Sequence, residues 1–437
     1  MTRYILNTAK QQKEMLETIG ISSIDELYPA IPSSLILKKD LDLPSGKSEF
    51  AVLEQLKSLA HQNTLFKTIL RGAGAEQHLI PTVVKQLANR EEFVSAYTPY
   101  QSELSQGILQ SIFEYQTAIC ELTGMDVSNA SVYDGASAAA EAVSMVIEKD
   151  RRVILLAKGI HPQTKATLKT YTRHLSLDLI ELEDQDGILK STHLKPYLNS
   201  NLAGVFIQTP NYFGCLENLD ELASDIHQAG GKLIAIVNPM TLGSLKSPRV
   251  FGADIAVGEA QPLGLPLAFG GPYLGFMAAS SDLVRRLPGR IVGQTVDTQG
   301  RRAFALTLQA REQHIRREKA SSSLCSNQAL MALTASMYLA SLGPAGLKEV
   351  SSACLSKAHY FLKQLESLGF KRKYPTEFFH EFVTEGFPSD QVESCLLKHN
   401  ILSGLALSEN EMLWCVTESS SKAQLDEVIR ILKEELV

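Results

Sequence analysis

Two short stretches gather the residue types that could do chemistry. The first is Tyr97-Thr-Pro-Tyr-Gln-Ser-Glu-Leu-Ser-Gln-Gly107, where two tyrosines, an amide and a carboxylate crowd around one proline. It leads straight into an apolar helical pattern, and a turn ahead of a helix is where binding groups tend to sit. Tyr97, Tyr100 and Gln101 can hydrogen-bond a carboxylate or wall a flat ring, and Glu103 can orient them or carry a proton. The second stretch runs from Gln309 to Lys319 and holds Arg311, His314, Arg316 and Arg317. A planar guanidinium fork suits a carboxylate or a phosphate. Simpler readings stand beside these. The tyrosines could pack at a subunit interface, Glu103 could cap or pair locally, and the 311–319 charges could be a solvated helix face.

The bulk composition narrows the function classes. With 437 residues, two or three domains and a well-buried core are expected. An apolar share of 44% and a charged share of 21% are ordinary for a soluble globular protein. The formal charge of −6, with no long Lys/Arg run, argues against a nucleic-acid partner. Cys120, Cys215, Cys325, Cys354, Cys395 and Cys415 are scattered, without CxxC or Cys/His ligand spacing. Neither a metal site nor a disulfide framework is indicated, and free thiols in a reducing, cytoplasmic setting are expected. The first residues lack the apolar run of a signal peptide, and no stretch of about 18 uncharged apolar residues suggests a membrane span.

The elements that must position these residues follow from periodicity. Residues 1–88 read as a helical N-terminal arm, with apolar spacings near 3 and 4 over Lys10 to Ile19 and Glu49 to Leu65. Arg71-Gly-Ala-Gly-Ala75 reads as a plain turn. A helix from Ile108 stops at Gly124, and Asp134 caps a second helix whose small residues allow close packing on a sheet. From 150 to 280, nearly unbroken apolar runs alternate with helical stretches at 162–172, 190–198 and 218–229. The runs are 153–157, 177–182, 205–208, 233–237, 254–257 and 274–278. This is an α/β pattern, a mostly parallel sheet with helices on both faces, and function in such sheets gathers at the carboxyl ends of the strands. His161 stands at one such end, where a cap or a site role is open. The large domain spans 89–343, and the Gly343-Pro-Ala-Gly346 turn leads to a smaller α+β domain over 344–437.

At this point the residues resemble a family. The order of elements is similar to fold-type I pyridoxal-phosphate (PLP) transferases, which implies a seven-stranded sheet. The motifs are those of the glycine-cleavage P-protein, glycine dehydrogenase (decarboxylating). They are the 97–107 turn, Asn129-Ala-Ser131 with Ala138-Ala-Ala-Glu141, Phe251-Gly-Ala-Asp254, Phe269-Gly-Gly-Pro272, Leu287-Pro-Gly-Arg-Ile-Val-Gly293 and Ala310 to Ala320. The chain's length fits subunit 1 of the split form, the part matching the N-terminal half of the long form. The resemblance implies a PLP-bearing subunit 2 in an α2β2 heterotetramer, a lipoylated H-protein partner and glycine as substrate. It also implies that a lysine for PLP should follow a central strand. The matching loop, Gly258-Glu-Ala-Gln-Pro-Leu-Gly-Leu-Pro266, has none, and no lysine occurs between Lys246 and Lys319. Asn238 stands where the pyridine-pairing acid is expected, and Asp134 sits at the phosphate-holding helix start. These departures imply a non-PLP-binding subunit, inactive alone, that contributes Tyr97, Tyr100, Gln101 and Glu103 to a composite site. Arg311, His314, Arg316 and Arg317 would then contact substrate or cofactor. The other reading is a structural or regulatory scaffold with a degenerate PLP fold.

Overall fold

In a computed structural model, which describes residues 7–39, 41–94 and 98–436, the chain divides into two units between Thr64 and Leu65. The first unit holds helices α1 (Ala9–Ile19) and α2 (Glu49–Ala60). Thr8 opens α1 with a reciprocal capping box to Gln11, and Ser48 caps α2. The second helix stops short of the expected Leu65. Its polar end is closed by Asn63, whose side-chain amide donates to the Ala60 carbonyl at 3.1 Å. Neither helix buries a residue. Leu35, Leu37, Leu43 and Phe50 are 71–73% exposed.

The second unit is built on a seven-stranded sheet. Its strands are β1 (Val127–Ser128), β2 (Val153–Ala157), β3 (Asp178–Leu182), β4 (Leu202–Thr209), β5 (Lys232–Val237), β6 (Ile255–Glu259) and β7 (Gly275–Ala279). The spatial order is β1-β7-β6-β5-β4-β2-β3. From β6 through β5, β4 and β2 to β3 every pairing is parallel, and β7 and β1 run antiparallel at one edge. The apolar runs of β2, β4, β5 and β6 are buried along nearly their whole length, the signature of a sheet covered on both faces. Helix α3 (Gln106–Thr123) buries Leu109, Ile112, Tyr115 and Ile119. Helix α4 (Gly135–Val146) buries almost every position, as its alanines allow.

A hairpin of Ile291–Val296 and Arg302–Thr307, unforeseen in the sequence, is held on α3 by two glutamines. Each donates to the carbonyl and accepts from the N–H of one residue, Gln116 at Val292 and Gln106 at Phe304, all at 2.9 Å. Helix α5 (Ala329–Ser367) joins two expected helices across a kink at Gly343 (φ 62°), where Pro344 removes a donor. By length and composition this helix could cross a membrane, contrary to the sequence expectation. Its first half instead packs Ala332, Leu333, Ala335 and Tyr338 into the core.

The C-terminal sheet orders Lys371–Arg372, Glu381–Glu385, Glu411–Cys415 and Leu405–Ser408, all antiparallel, with Ser389–Lys398 and Lys422–Glu435 as its helices. Residues 65–88, expected with the arm, belong to this second unit. Thr68–Ile69 pairs in parallel with Ile401–Leu402, and Leu70 enters the C-terminal core beside Trp414 and Phe361.

Candidate functional site

A cavity of about 450 Å³ opens at the carboxyl ends of the parallel strands. His161 follows β2, Gln208 lies at the end of β4 with Pro210 just after it, Asn238 follows β5, and Glu259 ends β6. The start of α4 supplies Asp134 to Ser137. The remaining wall comes from the 73–76 turn and from His380 and Glu381 of the C-terminal sheet. Four carboxylate residues and two histidines therefore face one space, and no lysine or arginine lines it among the described residues.

At the start of α4, carboxylates hold the free amides that a helix N-terminus offers. Asp134 Oδ1 accepts from the Ser137 N–H at 2.7 Å. Glu259 Oε2 accepts from the Gly135 N–H at 3.0 Å, and its Oε1 accepts from Gln261 and Leu274 at 3.0 and 2.9 Å. Residue 135 must be glycine for this contact, since a Cβ there would lie 2.6 Å from the Glu259 nitrogen. Burial raises the Glu259 pKa while the three amides lower it, and the balance is a value of about 7.

On the facing wall, His161 both caps and lines. The Gln163 N–H donates to its Nδ1 at 3.1 Å, which assigns the proton to Nε2, and Nε2 then donates to the Ala73 carbonyl at 2.9 Å. Asn238 Oδ1 accepts from the Met240 N–H at 3.0 Å, so it too is spent on a cap. Glu381 Oε1 accepts from Ala73 N–H at 2.7 Å, and Glu76 Oε1 from Gly74 N–H at 2.9 Å. The Glu381 carboxylate lies against the backbone at Gly72, where a Cβ would come within 2.3 Å of it. Burial, then the neighbouring Glu76, push the Glu381 pKa well up. His380 is depressed to about 4, chiefly by burial.

The described residues among those expected from sequence lie elsewhere. Tyr97 falls outside the described residues. Tyr100 packs against the cluster of Leu109, Ile112, Ala130, Val292 and Phe304, under the Arg290 guanidinium, 4.4 Å from its ring centre, and its hydroxyl meets Asn327. Gln101 and Glu103 are exposed, and Glu103 contacts only Ser102 at 3.3 Å among described side chains. The 309–319 stretch is two 3₁₀ turns around a four-residue helix, so the continuous helix face considered above does not form. Arg311 is spent on the carbonyls of Leu308 and Gly289, at 3.0 and 2.8 Å. His314 lies 3.6 Å from Glu312, whose other cation is Arg290 at 3.9 Å. Arg316 and Arg317 are exposed. Thus Arg290 and Glu312 bring Tyr100 and His314 into one cluster, and none of the seven expected residues that are described lines the cavity. The cavity acids were missed. Glu381 and His380 carry the available signal, two ionisable residues set into the apolar run Phe378 to Val383.

The family model for the glycine cleavage system P-protein matches residues 2–432. The chain belongs to the P-protein family. The protein named Probable glycine dehydrogenase (decarboxylating) subunit 1 from Carboxydothermus hydrogenoformans is 46% identical over 439 residues, covering 98% of this chain and 99% of that one. A crystal structure of glycine decarboxylase (P-protein) of the glycine cleavage system, in inhibitor-bound form, is 41% identical with a TM-score of 0.91 and full coverage of both chains. An alanine–glyoxylate aminotransferase from Nostoc sp. is 16% identical with a TM-score of 0.61, covering 86% of this chain and 96% of that one, and speaks for the fold alone. The fold is that of fold-type I PLP-dependent enzymes, and this P-protein chain is an enzyme component of subunit-1 type.

PLP does not fit the cavity of this P-protein chain. A covalent anchor would need a lysine, and none is present among the described lining residues. A phosphate would need the α4 amides, which the carboxyl groups of Asp134 and Glu259 already occupy. Asn238 offers a neutral amide where an acid would pair with a pyridine nitrogen.

Proposed function

We propose that this chain is the non-PLP-binding half of a glycine-decarboxylating enzyme. A partner subunit supplies PLP on its own lysine. The pair forms an α2β2 assembly in the cytoplasm that releases the glycine carboxylate as CO₂ and passes the aminomethyl group to the lipoyl arm of an H-protein. The observation that carries this reading is the pair of carboxylates seated on the α4 amides in a P-protein fold. Such a chain has given up holding the cofactor while keeping the family's turn at 97–107. The six thiols, all free, support the reducing setting.

The part assigned to this chain is positional. Tyr100, braced by Arg290, and Tyr97 form a wall for the reacting centre at the interface, with Gln101 and the exposed Glu103 beside them. Glycine's carboxylate must be recognised without strong stabilisation, because it departs in the reaction. Neutral phenols and an amide suit this better than a fixed guanidinium, and Arg311 is already engaged by two carbonyls. His314, Arg316 and Arg317, on the exposed flank, are proposed to meet the partner's cofactor phosphate or the substrate.

The test is glycine–bicarbonate exchange in the complex reconstituted with the lysine-bearing subunit. Tyr97→Phe with Tyr100→Phe is expected to lower exchange about tenfold or more, the scale of lost hydrogen bonds to a charged group. Full exchange in that double variant would remove the wall from the mechanism.

A further inference from the structure

A second kind of chemistry sits on the C-terminal wall of the cavity. Glu76, His380 and Glu381 are 5, 3 and 7% exposed, and one ligand atom from each lies within 4.8 Å of the others. Glu76 is distant in sequence from the adjacent pair His380 and Glu381, so spacing alone does not bring the three together. Each carboxylate is fixed through one oxygen by a backbone N–H, at Gly74 and at Ala73. That is the way outer hydrogen bonds orient a ligating carboxylate. Both ring nitrogens of His380 lack a hydrogen-bond partner among the described residues, although the ring is buried and lines the cavity. A buried imidazole with neither nitrogen satisfied is costly. Two buried carboxylates beside it add a second cost, because like charges there repel and no lysine or arginine lines the cavity among the described residues. A proton shared by the acids would ease that repulsion and still leave the imidazole unpaired.

We propose that Glu76, His380 and Glu381 form a site for one divalent transition-metal cation of the zinc class. Such a cation satisfies both deficits at once, giving the imidazole a partner and the carboxylates a counter-charge. Two oxygen ligands and one nitrogen suit borderline cations such as Zn²⁺ and Co²⁺. A tetrahedral shell with bonds of about 2.1 Å sets ligand atoms roughly 3.4 Å apart, so the three side chains, whose ligand atoms lie within 4.8 Å of one another, close in on the cation when it binds. Three protein ligands leave a coordination position toward the cavity, where water completes the shell. The site joins the 73–76 turn to the C-terminal sheet, and it is independent of the proposed decarboxylation.

A neighbouring trio, His78, Cys354 and Glu418, could compete for the metal. There, however, Glu418 Oε2 already meets His78 Nδ1 at 2.8 Å and the Cys354 thiol at 3.2 Å.

The experiment uses the full-length chain stripped with a chelator, then dialysed against Zn²⁺, with bound metal counted by mass spectrometry. One equivalent is expected, together with a zinc-dependent rise in melting temperature. His380→Phe is expected to fold, since it removes an unpaired imidazole, and to lose both the metal and the rise. Glu76→Gln should weaken zinc binding about tenfold or more. Cys354→Ser should bind as the parent does. Co²⁺ in the site should absorb without a thiolate-to-cobalt charge-transfer band. The proposal is overturned if the parent chain retains no zinc after dialysis. Retention by His380→Phe, loss in Cys354→Ser, or a thiolate band would overturn it equally, by moving the metal elsewhere.

Discussion

Glu259 and Glu217 are acids whose surroundings oppose their charge. Glu217 accepts from the Asn211 side chain at 2.8 Å and the Leu189 N–H at 2.9 Å, yet burial dominates and lifts it to about 7, as it does for Glu259. Their ordinary value is 4.5, so between 4.5 and about 7 the folded chain holds protons that the unfolded chain has released. The stability they contribute is complete below that window and is lost as pH rises through it. Melting temperature is therefore expected to fall from about pH 5 to about pH 8. Glu259→Gln should make that fall shallower, by on the order of 2 kcal/mol in unfolding free energy. An unchanged slope would mean that Glu259 is ionised throughout. At this scale the sequence was legible where a residue acts alone. Asp134 reads as a cap and caps. It was illegible where burial decides, because Glu76 and Glu381 meet through long-range contacts such as Thr68–Ile69 with Ile401–Leu402 and Cys415 N–H to the Leu70 carbonyl, which no local pattern encodes.

Helix α4 shows how an element sets a site. Ala138, Ala139 and Ala142 are fully buried, and Gly135 lets the backbone of β6 come against the helix start. This close seat places the Glu259 carboxylate on the helix amides. Gly135→Ala forces a methyl to 2.6 Å from the Glu259 nitrogen and should cost about 1–3 kcal/mol. The check is a lower urea midpoint with an unchanged m-value. An unaltered midpoint would show that the strand end can move away. The central strands and most helices were readable because their apolar runs are long and their breakers clear. The hairpin over 291–307 was not. Its strands, Ile291–Val296 and Arg302–Thr307, show no clean alternation, and its anchoring depends on Gln106 and Gln116 reaching across from α3, where glutamines on a helix look like surface. The 309–319 stretch failed for a related reason. Leu308 and Arg317 adopt positive φ, which breaks the helical spacing that its charges suggest.

As a whole, the molecule separates a self-sufficient unit from an arm with exposed apolar side chains. The large and C-terminal cores both lie within residues 65–437. Deleting residues 1–64 is therefore expected to leave one cooperative melting transition, shifted by no more than about 3 °C. The same deletion should weaken association with the lysine-bearing subunit, since apolar groups as exposed as Leu35 and Phe50 mark interaction surfaces. Undiminished copurification of the truncated chain would take the arm out of the interface. The central claim, that this chain works as the cofactor-free half of a pair, has a direct test. The complex, assembled with PLP, is reduced with borohydride, and the phosphopyridoxyl mass is mapped chain by chain. The label is expected on a single lysine of the partner subunit and none on this chain. A labelled lysine in this chain would contradict that claim.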